Sequence, residues 1–332
     1  MQNARRRYLR RLRYAVQWGV FALVLQGGVQ FYFFAGHFTR GGAPVERPPL
    51  VDGFLPIGAL MSLRLWVQKG VFDPVHPAAL VIFLAALATS ALMKKSFCGW
   101  VCPVGALSEQ AYRLGGRLFG RNFRLPGYLD YSLRLVKYLL LGFFLYAVLV
   151  KTPLEGIVQF VHTPYWKVAD VKMLHFFTEM TAFTGAVLGG LVALSLFYRN
   201  FWCRYLCPYG ALTGLLSCLS PAKVSRNEEA CSRCGLCSKT CPSHLPVDRK
   251  RRVRSPECSG CLTCVSVCPA RDALDAALPR RRTVTPLLYA GLVLALFFGI
   301  VGAAKLTGHW QSTVTYRECQ VLVPLADRFG HP

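Results

Sequence analysis

Fourteen cysteines stand in this chain of 332 residues, and twelve of them fall into four spaced runs. Two runs lie close together in a polar stretch: Cys231-x2-Cys234-x2-Cys237-x3-Cys241-Pro242 and Cys258-x2-Cys261-x2-Cys264-x3-Cys268-Pro269. Two-residue gaps let three thiolates from one tight loop converge on three corners of an iron–sulfur cubane. The fourth cysteine, three residues on and followed by proline, turns away towards the other centre. The expected ligand sets are therefore crossed. One [4Fe–4S] cluster takes Cys231, Cys234, Cys237 and Cys268, and the other takes Cys258, Cys261, Cys264 and Cys241. Zinc sites usually group two C-x2-C pairs and do not run four cysteines into a proline. Disulfides need an oxidising compartment, and the loop charges place this segment on the reducing side.

The remaining two runs are Phe97-Cys98-Gly99-Trp100-Val101-Cys102-Pro103-Val104-Gly105-Ala106-Leu107 and Trp202-Cys203-Arg204-Tyr205-Leu206-Cys207-Pro208-Tyr209-Gly210-Ala211-Leu212. Both read C-x3-C-P-x-G-A-L, and they are offset by 105 residues. Each closes a unit of span, outside amphipathic segment and span, so the copies are parallel and not inverted. Proline disfavours αR for the cysteine before it, which predicts a span end turning into a new helix. Pseudo-twofold packing would bring Cys98, Cys102, Cys203 and Cys207 towards one another. There they would hold a further metal centre or cluster, or act as redox dithiols. The plainer alternative is buried thiols packing two helix ends. Cys218 stands alone and reads as a packed hydrophobe, and Cys319 as a lone thiol in the outside tail.

The elements that must position these thiols are apolar. Hydrophobic residues make up 53% of the chain and charged residues 17%, below the roughly 25% of a soluble domain. Five stretches reach the 17–22 residues that a spanning helix needs: Tyr14–Ala35, Pro77–Met93, Leu133–Val150, Thr181–Tyr198 and Thr285–Ala304. Phe54–Gln68 and Ile157–Leu174 are apolar but interrupted, and read as amphipathic pieces at the interface.

Orientation follows from 39 Lys and Arg against 16 Asp and Glu. Residues 1–13, 94–137 and 199–284 hold 6, 8 and 15 of the basic residues; 36–76, 151–180 and 305–332 hold 4, 3 and 3. That asymmetry places the N-terminus and the cysteine-rich loop in the cytoplasm and the C-terminus in the periplasm of a bacterial inner membrane. Arg5-Arg6-Arg7 resembles a twin-arginine signal but reads as an inside anchor, and no cleavage site follows the apolar stretch. The basic loop Asp248-Arg249-Lys250-Arg251-Arg252-Val253-Arg254 reads as a solvated loop that helps fix topology; docking of an acidic partner or headgroups is the alternative. Nucleic acid is not an expected partner, because orientation accounts for the basic excess.

None of the seven histidines falls mid-span, which argues against a bis-histidine haem in the bilayer. His162 and His175 flank an outside amphipathic segment, where they read as polar anchors; the alternative is a hydrogen bond to a quinol headgroup. Walker, dinucleotide and serine-nucleophile motifs are absent, so any catalysis is electron transfer.

Paired C-x3-C-P motifs at span ends, together with the double C-x2-C-x2-C-x3-C-P module, resemble the NapH/NosR/CcoG-type membrane polyferredoxins. Within that family the chain most resembles the YccM-type branch. Lys94-Lys95-Ser96-Phe97-Cys98, Asp170-Val171-Lys172-Met173-Leu174 and the terminal Gly330-His331-Pro332 carry the likeness further. The resemblance implies a quinol-linked electron carrier of the inner membrane feeding a reductase pathway or a maturation system. The NosR-type flavin domain and the CcoG-type C-terminal domain are not expected here.

The resulting expectation is an all-α membrane protein of five transmembrane helices, two parallel duplicated two-span units plus one, with an inserted two-cluster bacterial ferredoxin-like module. Its segments are 1–110 and 111–220 for the two repeats, 221–280 for the module, and 281–332 for the last span and tail. The expected function is electron transfer between membrane quinol and a redox partner, of a quinol dehydrogenase type. A metal-reducing assembly factor for a respiratory enzyme and a redox sensor are the alternatives.

Overall fold

A computed structural model describes residues 2–279 and 283–330, with side chains from residue 8 onward. The Arg5–Arg7 side chains, Arg280–Arg282 and the terminal His331 and Pro332 lie outside the described residues.

The chain is mostly helical. Helices α1 (Gln2–Arg40), α2 (Pro56–Lys69), α3 (Pro77–Leu92), α4 (Pro103–Leu118) and α5 (Gly127–Tyr146) occupy its first half. Three short helices, α6 (Leu154–Phe160), α7 (Pro164–Lys167) and α8 (Ala169–Thr178), lead to α9 (Ala182–Phe197) and α10 (Pro208–Leu216). The cysteine-rich stretch contributes only α11 (Leu236–Lys239) and α12 (Thr263–Val267), before α13 (Pro286–Leu306) and α14 (Tyr316–Leu322).

Among the described residues three helices are long and apolar enough to cross a membrane: Tyr8–Arg40, Gly127–Lys151 and Pro286–Leu306. Helix α3 is apolar but has 16 residues, about 24 Å at 1.5 Å per residue. Helix α9 follows α8 across an 81° bend, as a broken span or a re-entrant loop would. These two coincide with the remaining expected spans. The amphipathic stretch at Phe54–Gln68 is α2, and Ile157–Leu174 is broken into α6, α7 and α8.

Contacts divide the chain into two compact units. The first comprises Met1–Phe21, Ala86–Leu141 and Leu188–Phe298. It holds all twelve spaced cysteines. Here α4 passes so close to the end of α9 that a Cβ on Gly115 would collide with the Leu196 backbone carbonyl. The buried Arg13 guanidinium pairs with Glu109 and donates to the Gly99 carbonyl at 3.1 Å. The all-α expectation fails in this unit, because the cysteine module is built on a three-stranded antiparallel sheet. Strand β1 (Lys223–Arg226) pairs with β2 (Leu274–Ala277), which pairs with β3 (Thr283–Val284). All four residues of β2 are buried, as a central strand requires.

The second unit comprises Ala22–Ala85, Gly142–Val187 and Gly299–Pro332. One core there gathers Phe31, Phe34 and Ala35 of α1 with Val168, Val171, Val323 and Cys319. The lone thiol of the tail is thus a packed apolar residue. A second core surrounds Leu65, Ile157 and Trp166.

Candidate functional site

Each C-x3-C-P motif has the same backbone. Residues Phe97–Val101 and Trp202–Leu206 form π-helical turns, closed by Cys102 N–H donating to Phe97 O at 2.9 Å and Cys207 N–H to Trp202 O at 3.0 Å. Cys102 and Cys207 leave the helical region (ψ 120° and 106°), and Pro103 and Pro208 open α4 and α10 at their first position. The proline supplies a preset φ where no N–H is needed. At the second copy the Cys207 sulfur accepts the Gly210 N–H at 3.2 Å, and Gly105 N–H serves Cys102 in the same way.

The four thiols of these turns are brought within range of one another's charge. Burial, then Cys207, Cys102 and Cys98, push the Cys203 thiol well above its ordinary range. Burial and Cys98 push Cys102 up to about 12. Among the described residues no three of these thiols lie within 4.8 Å of one another. Sulfurs around a single zinc would be about 4 Å apart, whereas a cluster spreads them further. A buried cation already faces the group. Lys95 is 5% exposed, and a Cβ on Gly210 would lie 3.5 Å from both Lys95 Nζ and Cys207 Sγ. Burial disfavours the Lys95 charge, but Cys98, Glu257, Cys207 and Cys203 override it and raise its pKa. Nothing in the motif spacing pointed to Lys95 or Glu257.

In the cysteine module the two loops repeat one another at an offset of 27 residues. Arg233 and Gly260 are equivalent and both have positive φ (54° and 59°); so are Gly235 and Leu262 (70° and 54°). Left-handed residues at these places turn successive N–H groups inward, a concavity that suits an anionic iron–sulfur centre. The Arg233 N–H, with the Arg226 side chain, holds Cys231 below the usual thiol range. Gly260 N–H bonds to the equivalent Cys258.

Cys241, Cys258, Cys261 and Cys264 line one cavity, walled by Val224, Leu245, Val247 and Leu262. Three of these cysteines come from one motif and the fourth from the other. Cys241 is pushed up to about 12 by burial and then by Cys261. Cys237, by contrast, is raised by burial and, among its neighbours, by Cys268 of the other motif. Four converging thiols, Cys241 and Cys264 of them buried, fit a cationic iron–sulfur core, which the donor set would hold as thiolates. Cys234 is exposed at the loop tip. Cys218 is also exposed, not packed as expected, because α10 ends at Leu216 and the following turn faces it outward.

The first C-x3-C-P turn rests directly on this second loop. The buried Trp100 ring N–H donates to Gly260 O at 3.0 Å. A Cβ on Gly99 would stand 2.6 Å from the Ser259 carbonyl and 3.5 Å from Cys261 Cβ, so only glycine permits the approach. Glu257, the residue before Cys258, accepts both contacts of Lys137 at 2.7 Å.

The family description "4Fe-4S binding domain" matches residues 75–123 and again 180–227, one match for each C-x3-C-P turn. A "4Fe-4S dicluster domain" matches residues 223–269. The chain is 42% identical over 327 residues to YccM of Escherichia coli K12, named as an electron transport protein, covering 96% of this chain and 91% of that one. The chain belongs to the polyferredoxin family. The ferredoxin-type protein NapH of Escherichia coli K12 is 29% identical over 67% of this chain and 73% of its own. The methylamine utilization ferredoxin-type protein MauN of Paracoccus denitrificans is 32% identical over 63% and 74%. No solved structure matches. As a polyferredoxin, this is a membrane-associated iron–sulfur protein of electron transfer.

Two histidines of the second unit are placed differently from one another. His162 is exposed, whereas His175 Nδ1 lies 2.9 Å from Asp327. Sequence reasoning passed over His76, which is fully buried. Its Nδ1 lies 2.9 Å from Asp52 and 3.0 Å from Arg47 Nη2, and its Nε2 lies 2.7 Å from the Trp166 carbonyl. Arg47 bonds to both Asp52 and Asp170 in the same cluster. Burial opposes a charge on His76, but Asp52 overrides it and raises the pKa.

Proposed function

We propose that the chain carries electrons between the membrane quinol pool and a redox partner in the bacterial inner membrane. Cys231, Cys234, Cys237 and Cys268 would hold one [4Fe–4S] cluster, and Cys258, Cys261, Cys264 and Cys241 the other. Cys98, Cys102, Cys203 and Cys207 would form a third centre. Quinol releases two electrons and two protons, and each cluster, when bound, takes up one electron at a time. The observation that carries this reading is the seat of Gly99 and Trp100 on the Ser259–Cys261 loop; with Cys258 and Cys261 as ligands, the C-x3-C-P turn would lie against one cluster. The protein's own groups set the charge balance: backbone N–H groups at Cys231, Cys258 and Cys207 favour thiolates, and Lys95 offsets the accumulated negative charge.

In this reading all five apolar stretches span, the bend between α8 and α9 marking one span's outer end. The repeats are 1–110 and 111–220, the cluster module is 221–280, and 281–332 forms the last span and a periplasmic tail. The N-terminus and clusters face the cytoplasm, on the basic-residue asymmetry.

The test is anaerobic purification, iron counting and electron paramagnetic resonance, followed by addition of a quinone to the reduced protein. Rapid bleaching of reduced clusters supports the carrier. Clusters inert to quinone, with tight copper binding that is lost when the C-x3-C-P cysteines are replaced, would instead mark a maturation factor.

A further inference from the structure

At one end of span helix α5 lies a small cavity of about 60 Å³ that the electron route does not use. Its walls carry three guanidiniums, Arg124, Arg199 and Arg204, together with His244 and a single carboxylate, Asp130. Asp130 is already committed. It accepts Arg204 Nε at 2.9 Å and Nη2 at 3.0 Å, the Tyr205 hydroxyl at 2.6 Å, and Arg134. Arg204 is 6% exposed, yet among the described residues its Nη1 has no partner. His244 Nδ1 is buried without one too. A buried charged donor left unpaired is destabilising, so such a group implies something that satisfies it. Arg199 spends Nε and Nη1 on Asn122, Lys239 and Cys241 oxygens, and Arg124 stands exposed at the rim.

We propose that this cavity binds a phosphate group. Three cations around one carboxylate leave a positive excess, and Arg204 Nη1 is a buried charged donor still to be satisfied. A phosphate carries more charge than a carboxylate and offers oxygens to several guanidiniums at once. Guanidinium forks and phosphate oxygens form charge-assisted, often bidentate hydrogen bonds. The cavity lies where α5 begins and α9 has just ended, at the boundary of the apolar stretches. Basic pockets at that depth bind anionic lipid headgroups, so the phosphate belongs to a phospholipid or arrives as a soluble phosphate.

The test uses the full chain, purified anaerobically in micelles of an uncharged, phosphate-free detergent. Its melting temperature is followed on addition of inorganic phosphate, and separately on addition of phosphatidylglycerol. Stabilisation by phosphatidylglycerol alone assigns the headgroup, and stabilisation by inorganic phosphate assigns the soluble ion. Arg124→Gln should weaken the effective probe roughly tenfold, the loss of one charged hydrogen bond. Arg204→Gln should abolish the effect. Because Arg204 is buried and its replacement risks misfolding, Arg124→Gln carries the test by itself. Lys250→Gln, an exposed cation outside the cavity lining, controls for diffuse attraction by a chain of net charge +23. No stabilisation by either probe, or equal losses in Arg124→Gln and Lys250→Gln, would overturn the site.

Discussion

The indole N–H of Trp100 donates to the carbonyl of Gly260 at 3.0 Å, joining the first C-x3-C-P turn to the loop between Cys258 and Cys261. Trp100 is 1% exposed, so the bond is made out of water. Trp100→Phe keeps the ring and deletes the donor, which should cost about 1–3 kcal/mol for the stranded carbonyl. A lower melting temperature with unchanged iron content is expected. Gly99→Ala acts on the same seat by forcing a Cβ towards the Ser259 carbonyl. It should slow cluster reoxidation by quinone, and an unaltered rate would separate the two motifs functionally.

The crossed ligand sets give a sharper test than iron counting alone. Cys241 lies in the first motif but shares a cavity with Cys258, Cys261 and Cys264. Cys241→Ser should therefore give the same paramagnetic spectrum as Cys261→Ser, with about four of the iron atoms lost in each. If Cys241→Ser behaves like Cys237→Ser, each motif holds its own cluster and the crossing is wrong.

Removing the cation at Lys95 should be felt by the thiols around it. Lys95→Met takes away a positive charge beside Cys98, Cys207 and Cys203 and leaves the burial. Alkylation of those thiols in iron-free protein should slow by roughly tenfold or more, since the thiolate is the reacting form. Lys95→Arg should restore most of the rate.

His76 makes the second unit sensitive to pH. Its folded pKa is raised above the unfolded value near 6.5, so the stabilisation from charged His76 is fully present below about pH 6.5. It is lost as pH rises through the folded pKa. The melting temperature should fall as pH rises above about 6.5, and His76→Gln should start lower and show a flatter profile. A wild-type curve that rises over that range would contradict a charged His76.

Topology is open to fusion reporters. Alkaline phosphatase fused after Phe329 should be active, and one inserted near Lys250 silent, if the basic-residue asymmetry sets orientation. Activity near Lys250 would put the cysteine module on the oxidising side and remove the electron route.

The cysteine motifs were legible because their meaning is local. Loop spacing decides which thiols converge, and the proline after each fourth or second cysteine decides where the chain turns. Both π-turns therefore begin and end where the 105-residue repeat predicts, at Phe97–Cys102 and Trp202–Cys207. The apolar stretches were legible for the same reason, since length and hydropathy belong to one segment. The sheet beneath the clusters was missed because β1 and β2 have four residues each, too short for alternation to register. The partners of buried charges could not be read at all. Lys137 finds Glu257, His76 finds Asp52, and Trp100 finds Gly260 across 120, 24 and 160 residues of chain. A buried charge takes whichever partner packing delivers. That delivery depends on helix crossings such as Gly115 against Leu196 and not on any local pattern. The sequence alone therefore determined the cluster chemistry and the apolar helices, while only the tertiary structure decided which cations and carboxylates face the thiols, because burial is a property of the packed chain.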